Sequence, residues 1–132
     1  MQREIKTLIV CTMVLLALDA CWISFNLRAF QNQVIKVQRV VMQVKPVGAI
    51  IVYIFMILAL FYFILLKKRP VFEAFFLGLA IIGVYDFTNY AMLKKWDPML
   101  ACADTLWGGV LYATTAFITY SVMYPGGNFM LV

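Results

Sequence analysis

The chain has 132 residues, of which 65% are apolar and 13% charged, against about 45–50% and about 25% in soluble domains. Eleven Lys and Arg against six Asp and Glu give a net charge of +5, and the mean hydropathy is +0.93. This balance excludes a disordered protein, a nucleic-acid module and almost any cytosolic enzyme, and it places the chain in a bilayer.

The first apolar stretch covers about residues 7–27. It follows a short basic-leaning head with Arg3, Glu4 and Lys6, and so begins like a secretory signal. A signal core runs to about 15 residues, however. This stretch is longer, carries Asp19 near its middle and lacks an A-x-A-like cleavage site, so it is read as a retained helix.

Residues 28–45 come next. Phe30, Val34, Val37, Val41 and Val44 recur at helical spacing, while Lys36, Arg39 and Gln43 fall largely elsewhere. This pattern predicts an amphipathic helix in the membrane interface between the first two spans. A helical extension of the second span and a valine-rich strand are the alternatives.

The second span, 47–66, is free of charge, with Pro46 suited to a first helical turn. Lys67, Lys68, Arg69 and Pro70 end it. The third span occupies 71–93, with Glu73 near its entrance, and the fourth occupies 99–124, before Pro125-Gly126-Gly127. Twenty helical residues rise about 30 Å, the thickness of the hydrocarbon layer. None of the stretches alternates as a barrel strand does. The expected fold is an all-α integral membrane protein, with one multi-pass domain of four transmembrane helices over 1–132.

Four spans put both termini on one side. Arg3, Lys6, Lys67, Lys68 and Arg69 share that side, and Arg28, Lys36, Arg39, Lys45, Lys94 and Lys95 lie on the other. So even a split hardly engages the positive-inside rule, and the working orientation places the termini in the cytoplasm. Arg28, Lys36, Arg39, Lys45, Lys67, Lys68, Arg69, Lys94 and Lys95 are expected to contact lipid head groups, anionic ones included. Nucleic acid is not an expected partner.

The informative residues are the acids inside the spans: Asp19 in the first, Asp86 in the third and Asp104 in the fourth. Each costs about 2.5–3.5 kcal/mol on insertion scales when it sits near a helix centre, so all three should face protein or water. Alternating spans place them in the membrane half opposite the termini, which suggests a shared polar pocket opening toward 28–45. Thr12, Leu15, Asp19, Trp22 and Asn26 share one helix face; Asp86, Asn89, Tyr90 and Leu93 share another; Asp104, Trp107, Gly108 and Thr115 form a third stripe. Indole N–H, phenol O–H and amide groups can donate to carboxylates. The candidate pocket residues are therefore Asp19, Trp22, Asn26, Asp86, Asn89, Tyr90, Asp104 and Trp107. The competing reading of the same residues is a polar network that only fixes helix packing. Acids held close together share a proton, which suits a relay and a static carboxyl pair equally.

Other features carry less. Gly78, Gly83, Gly108 and Gly109 would let helices approach closely, without the spacing of a GxxxG motif. Tyr53 and Tyr62 are read as core or lipid-facing anchors. Cys11, Cys21 and Cys102 form no metal or disulfide pattern and are read as small buried hydrophobes. A metal held by Cys21, Cys102 and the neighbouring acids is the lesser reading. Without histidine, the histidine-dependent haem, zinc and copper sites fall away, and neither a cofactor nor a resident metal is expected.

Three blocks, Leu18-Asp19-Ala20-Cys21-Trp22, Tyr85-Asp86-Phe87-Thr88-Asn89-Tyr90-Ala91 and Ala103-Asp104-Thr105-Leu106-Trp107-Gly108, occur in that order, with Trp96 after the third span. In these blocks the chain resembles the membrane-protein family called domain of unknown function 2177, over nearly its whole length. The resemblance implies a compact protein of a bacterial-type plasma membrane with these polar residues in its core. It implies no particular substrate, reaction or cofactor. Phe87 stands where the family pattern has leucine, and the basic, glutamine-rich 31–45 segment is less typical of it.

The expected function is that of a small transporter or channel-like protein whose acidic pocket takes a proton, a cation or a small polar substrate. Four helices make a thin permeation unit, so a homo-oligomer such as a dimer goes with this reading. The alternative is a membrane-embedded lipid-binding or complex-assembly protein without transport. An enzyme is the third reading: paired acids can do acid–base work, yet no nucleophile with an assigned base is evident.

Overall fold

The computed structural model describes residues 2–39 and 45–125 as four helices: α1 (Gln2–Gln38), α2 (Pro46–Leu60, followed by a π-helical turn at Phe61–Leu65), α3 (Val71–Met92) and α4 (Pro98–Met123). No strand occurs among the described residues. All four helices are long and apolar enough to cross a membrane, and the molecule is a multi-pass membrane bundle.

The ends of α2, α3 and α4 follow local chemistry. Pro46 and Pro98 stand in the first turns of α2 and α4, where a missing N–H costs nothing. Asp97 caps α4 by accepting from the Met99 N–H at 2.9 Å. The C-terminal end of α2 closes on Lys68, at φ 53°, with Lys68 N–H donating to Leu65 O (3.2 Å) and Arg69 N–H to Ile64 O (2.8 Å). This paired arrangement satisfies carbonyls that a helix end would otherwise leave bare.

α1 departs from expectation. No separate helix follows the first span: residues 28–38 continue α1 without a break, to Arg39 at φ 61°. Residues 40–44, with Val41, Gln43 and Val44 of the expected amphipathic pattern, lie outside the described residues. A tertiary contact explains the extension. Gln33 is buried and its Oε1 accepts the Asp97 N–H at 2.8 Å, while at the other end the Arg3 guanidinium lies 5.3 Å from the centre of the Tyr124 ring. Between these two ties α1 rises about 45 Å and the matching stretch of α4 about 40 Å, so α1 runs obliquely along its whole neighbour.

α4 is the most buried helix, and its membrane-spanning stretch is the least apolar of the four; α1, α2 and α3 all turn most of their length outward. In lipid this order is the stable one, because polar side chains need protein partners while leucine and isoleucine do not. α3 packs along α4 more extensively than any other pair, and α1 packs on another face of α4. At the α3–α4 crossing the two backbones meet: a Cβ on Gly78 would lie 2.1 Å from Gly108 O, and one on Gly108 would lie 2.8 Å from Gly78 O. Gly109 lies under the Phe75 ring. α2 is tied in by tyrosines of α4. The Tyr112 hydroxyl donates to Met56 O at 2.5 Å, and the Tyr120 hydroxyl lies 2.7 Å from Arg69 O and 3.1 Å from Ile64 O.

The crossing is directly testable. Gly78→Leu is expected to lower stability by about 1–3 kcal/mol or to block folding, since backbone cannot yield to a side chain there. Gly48→Leu, at a position with nothing within 4 Å of an added Cβ, is expected to stay within about 0.5 kcal/mol. Unfolding in mixed micelles monitored by circular dichroism measures both.

Candidate functional site

Asp19 and Trp22 stand one turn apart on α1, and Asp104 and Trp107 stand one turn apart on α4. Because the helices run in opposite directions, the two Asp-x-x-Trp pairs meet head to tail. Trp107 Nε1 donates to Asp19 Oδ1 at 3.0 Å, and Trp22 Nε1 donates to Asp104 Oδ1 at 3.2 Å. The two indoles stack between them, with centroids 5.0 Å apart and planes within 6°. α2 closes the other side of Asp19, where the Tyr53 hydroxyl donates a short hydrogen bond to Oδ2.

Tyr53 packs against the core, in line with its reading as an anchor, and its hydroxyl adds a contact with Asp19 beyond that reading. Its sequence neighbours are uniformly apolar, so nothing near it signals a carboxylate; only a pairing rule for Asp19, the acid within the apolar part of α1, would have pointed to it. Trp96, beside Asp86, and Gln33, which joins α1 to the α3–α4 turn away from the acids, were likewise not singled out. A glutamine in a polar, basic stretch looks solvated, and a tryptophan in a loop looks like an interfacial anchor.

The third acid differs from the other two. Asp86 is 2% exposed, and its Oδ2 has no hydrogen-bond partner among the described residues. It faces Asp104 across the α3–α4 contact, and the Trp96 indole lies near it. The Trp96 N–H is itself buried without a well-formed hydrogen bond among the described residues, as is the Thr105 hydroxyl next along α4 from Asp104. Asp104 thus belongs to two groups at once, holding Trp22 with one oxygen and facing Asp86.

The remaining candidates do not all converge. The Asn26 side-chain N–H donates to Trp22 O of its own helix at 3.0 Å, and the Thr12 hydroxyl to Leu8 O at 2.8 Å. Asn89 is half-buried beside Tyr85. Tyr90 is 48% exposed, with its ring edge-on to Phe87. Thr115 is fully buried farther along α4, its hydroxyl unpartnered among the described residues.

No basic side chain enters this acidic group. Among the described residues the ion pair is Arg69–Glu73, at 2.7 Å, in the turn between α2 and α3. The Glu73 carboxylate holds the Arg69 guanidinium above its usual range. Arg28, Lys36, Arg39, Lys45, Lys67, Lys68, Arg69, Lys94 and Lys95 are all exposed, Arg28 within the unbroken length of α1 and the others near helix ends or turns. Lys67 lies over the Tyr62 ring at 4.8 Å and Lys68 over Tyr124 at 5.0 Å. Cys11 is buried, while Cys21 and Cys102 are free and exposed, which departs from the reading of all three as buried. No cluster of three or more Cys, Asp or Glu suited to a metal is gathered among the described residues.

A family model described as Predicted membrane protein (DUF2177) matches residues 4–121. No curated protein and no solved structure matches the chain.

The crossed hydrogen bonds can be measured by a double-mutant cycle. Trp22→Phe keeps a stacking ring and removes the donor; Asp104→Asn weakens the acceptor. Their coupling in unfolding free energy is expected at about 0.6–1.7 kcal/mol, the range for hydrogen bonds between membrane helices. Asn26→Ala, which touches only its own helix, is expected to show no coupling with Asp104→Asn.

Proposed function

The chain belongs to the DUF2177 family of predicted membrane proteins, and from that premise we propose that it is a small transporter or channel-like protein that handles a cation, in the first place a proton, at Asp86 and Asp104. The observation that carries this reading is the Asp86 carboxyl, buried in the bundle with one oxygen free of any hydrogen-bond partner among the described residues. Leaving such an oxygen bare inside a membrane is costly, and a structural acid is ordinarily wrapped by donors. Asp19 is wrapped in that way, by Tyr53 and Trp107.

The division of labour follows from these partners. Asp19 and Trp107 position α1 against α4; Trp22 steadies Asp104; Asp86 offers the free oxygen. Two facing acids without a basic neighbour are neutralised by a bound cation, and a proton is the one that fits between them without further ligands. Asp86 lies in the later half of α3 and Asp104 in the early half of antiparallel α4, so the pair sits in the membrane half nearer the α3–α4 turn. A homodimer, with the path along the subunit boundary, completes the reading for a unit of four helices. The cytoplasmic side for the termini remains part of the proposal.

A second reading, a membrane assembly protein without transport, is favoured by one observation: two of the three acids are committed to the α1–α4 hydrogen bonds.

Purified protein in liposomes containing a pH-sensitive dye distinguishes the two. Under an imposed proton gradient the wild type is expected to dissipate it faster than empty liposomes do. Asp86→Asn is expected to lower that rate by about tenfold or more, as for a residue that carries the proton itself, with Asp86→Glu retaining part of it. No flux from folded wild-type protein, or wild-type flux from folded Asp86→Asn, overturns the transport reading.

A further inference from the structure

The geometry points to a binding site for the phosphodiester head group of an anionic phospholipid, in the cleft between the C-terminal part of α1 and the α3–α4 turn. The cleft encloses about 330 Å³, and its polar wall is made by Asn32, Gln33, Lys36, Lys95 and Asp97. This site is separate from the buried acids and does not depend on the transport reading.

Three features select the ligand. First, charge: Lys36 and Lys95 reach the cleft from two different elements, so an anion between them is held by both. The Asp97 carboxylate is turned toward its own helix, accepting the Met99 N–H at 2.9 Å. Second, the framework is built: Gln33 is only 5% exposed, and its bond to the Asp97 N–H fixes α1 against the turn at 2.8 Å. Asn32 and the two lysines therefore line a space with a defined floor. Third, depth: Gln33 meets α4 at its first turn, where a membrane-spanning helix emerges into the head-group layer. The floor of the cleft is Met99, Leu100 and Ala103, descending along α4 toward the hydrocarbon. A free phosphate would use only the upper half of this surface, whereas a phospholipid uses both.

The inference also accounts for the length of α1. Continuing the helix past residue 27 costs the chain a longer rigid rod, and what it brings into place is Asn32, Gln33 and Lys36 beside Lys95 and Asp97.

Native mass spectrometry of the full chain, released from detergent after titration with phosphatidylglycerol, phosphatidylethanolamine or phosphatidylcholine, tests the site. One phosphatidylglycerol is expected to be retained in preference to the other two. Lys36→Gln and Lys95→Gln are each expected to weaken retention about fivefold, in keeping with about one unit of surface attraction per lysine. Lys36→Arg and Lys95→Arg are expected to preserve it. Lys6→Gln, the same loss of charge at the opposite end of α1, is expected to leave it unchanged. Circular dichroism verifies that each variant is folded. Equal retention of the zwitterionic lipids overturns the proposal, as does unchanged retention in the folded double variant. Full displacement of the lipid by millimolar inorganic phosphate assigns the site to a free anion and overturns the lipid assignment.

Discussion

A carboxylate inside a membrane needs donors, and no water is at hand in the hydrocarbon to supply them. The α1–α4 contact meets that need with the same short segment used twice. Asp-x-x-Trp on one helix, set against Asp-x-x-Trp on an antiparallel helix, brings each acid level with the other's indole, and the two rings then stack. One helical turn separates donor from acceptor in both segments, so a single register satisfies both acids at once. A slide of one helix past the other by a turn would break both indole–carboxylate hydrogen bonds. The clasp thereby sets the register of the bundle, and Tyr53 extends it to α2.

Around that contact α4 acts as the axis. Its small residues admit α3 at the Gly78–Gly108 crossing, and its tyrosines reach the backbone of α2 at Met56, of its π-helical turn at Ile64 and of the following turn at Arg69. The two kinds of contact are complementary. Where backbones touch, dispersion and close fit hold the helices; where α2 stands farther off, a long side chain with a hydroxyl bridges to a carbonyl. The π-helical turn and left-handed Lys68 fall at the end of α2 that Tyr120 grips. Polar groups thus cluster along α4, and the apolar surface is left to the lipid.

Charge is separated just as firmly. Apart from Arg28, the basic residues occupy the ends and turns, where their stems can cover apolar surface while the charged heads stay wet. The three acids lie within, with no basic partner among the described residues. Asp19 and Asp104 accept from tryptophan across the α1–α4 contact, whereas Asp86 keeps one oxygen, Oδ2, without a hydrogen-bond partner among the described residues. The cleft lined by Lys36 and Lys95 and the Asp86–Asp104 pair both lie toward the α3–α4 turn, so the same end of the molecule carries basic and acidic groups at different depths.

Composition and hydropathy alone determined that the protein spans a membrane with four helices, because burying so much apolar surface in so short a chain admits no other solvent. The breaks at Lys67–Pro70 and Lys94–Pro98 were legible for a similar reason: charge and proline act locally. So was the importance of Asp19, Asp86 and Asp104, since an acid in an apolar run is anomalous wherever it occurs. Which donors they use was not legible. Tyr53 lies 34 residues from Asp19, and Trp107 lies 88 residues away, and nothing in a linear pattern ranks one distant donor above another. Asn26 looked equivalent to Trp22 by periodicity, yet it turns back to its own backbone. The length of α1 was decided in the same way. Residues 28–38 have the polar, valine-containing character of a segment that could stop, turn or lie flat, and a single contact between Gln33 and the backbone of Asp97 draws them into line. Hydropathy is a property of each residue against its solvent; register, partner and helix length past the membrane are properties of pairs, which only tertiary structure brings together.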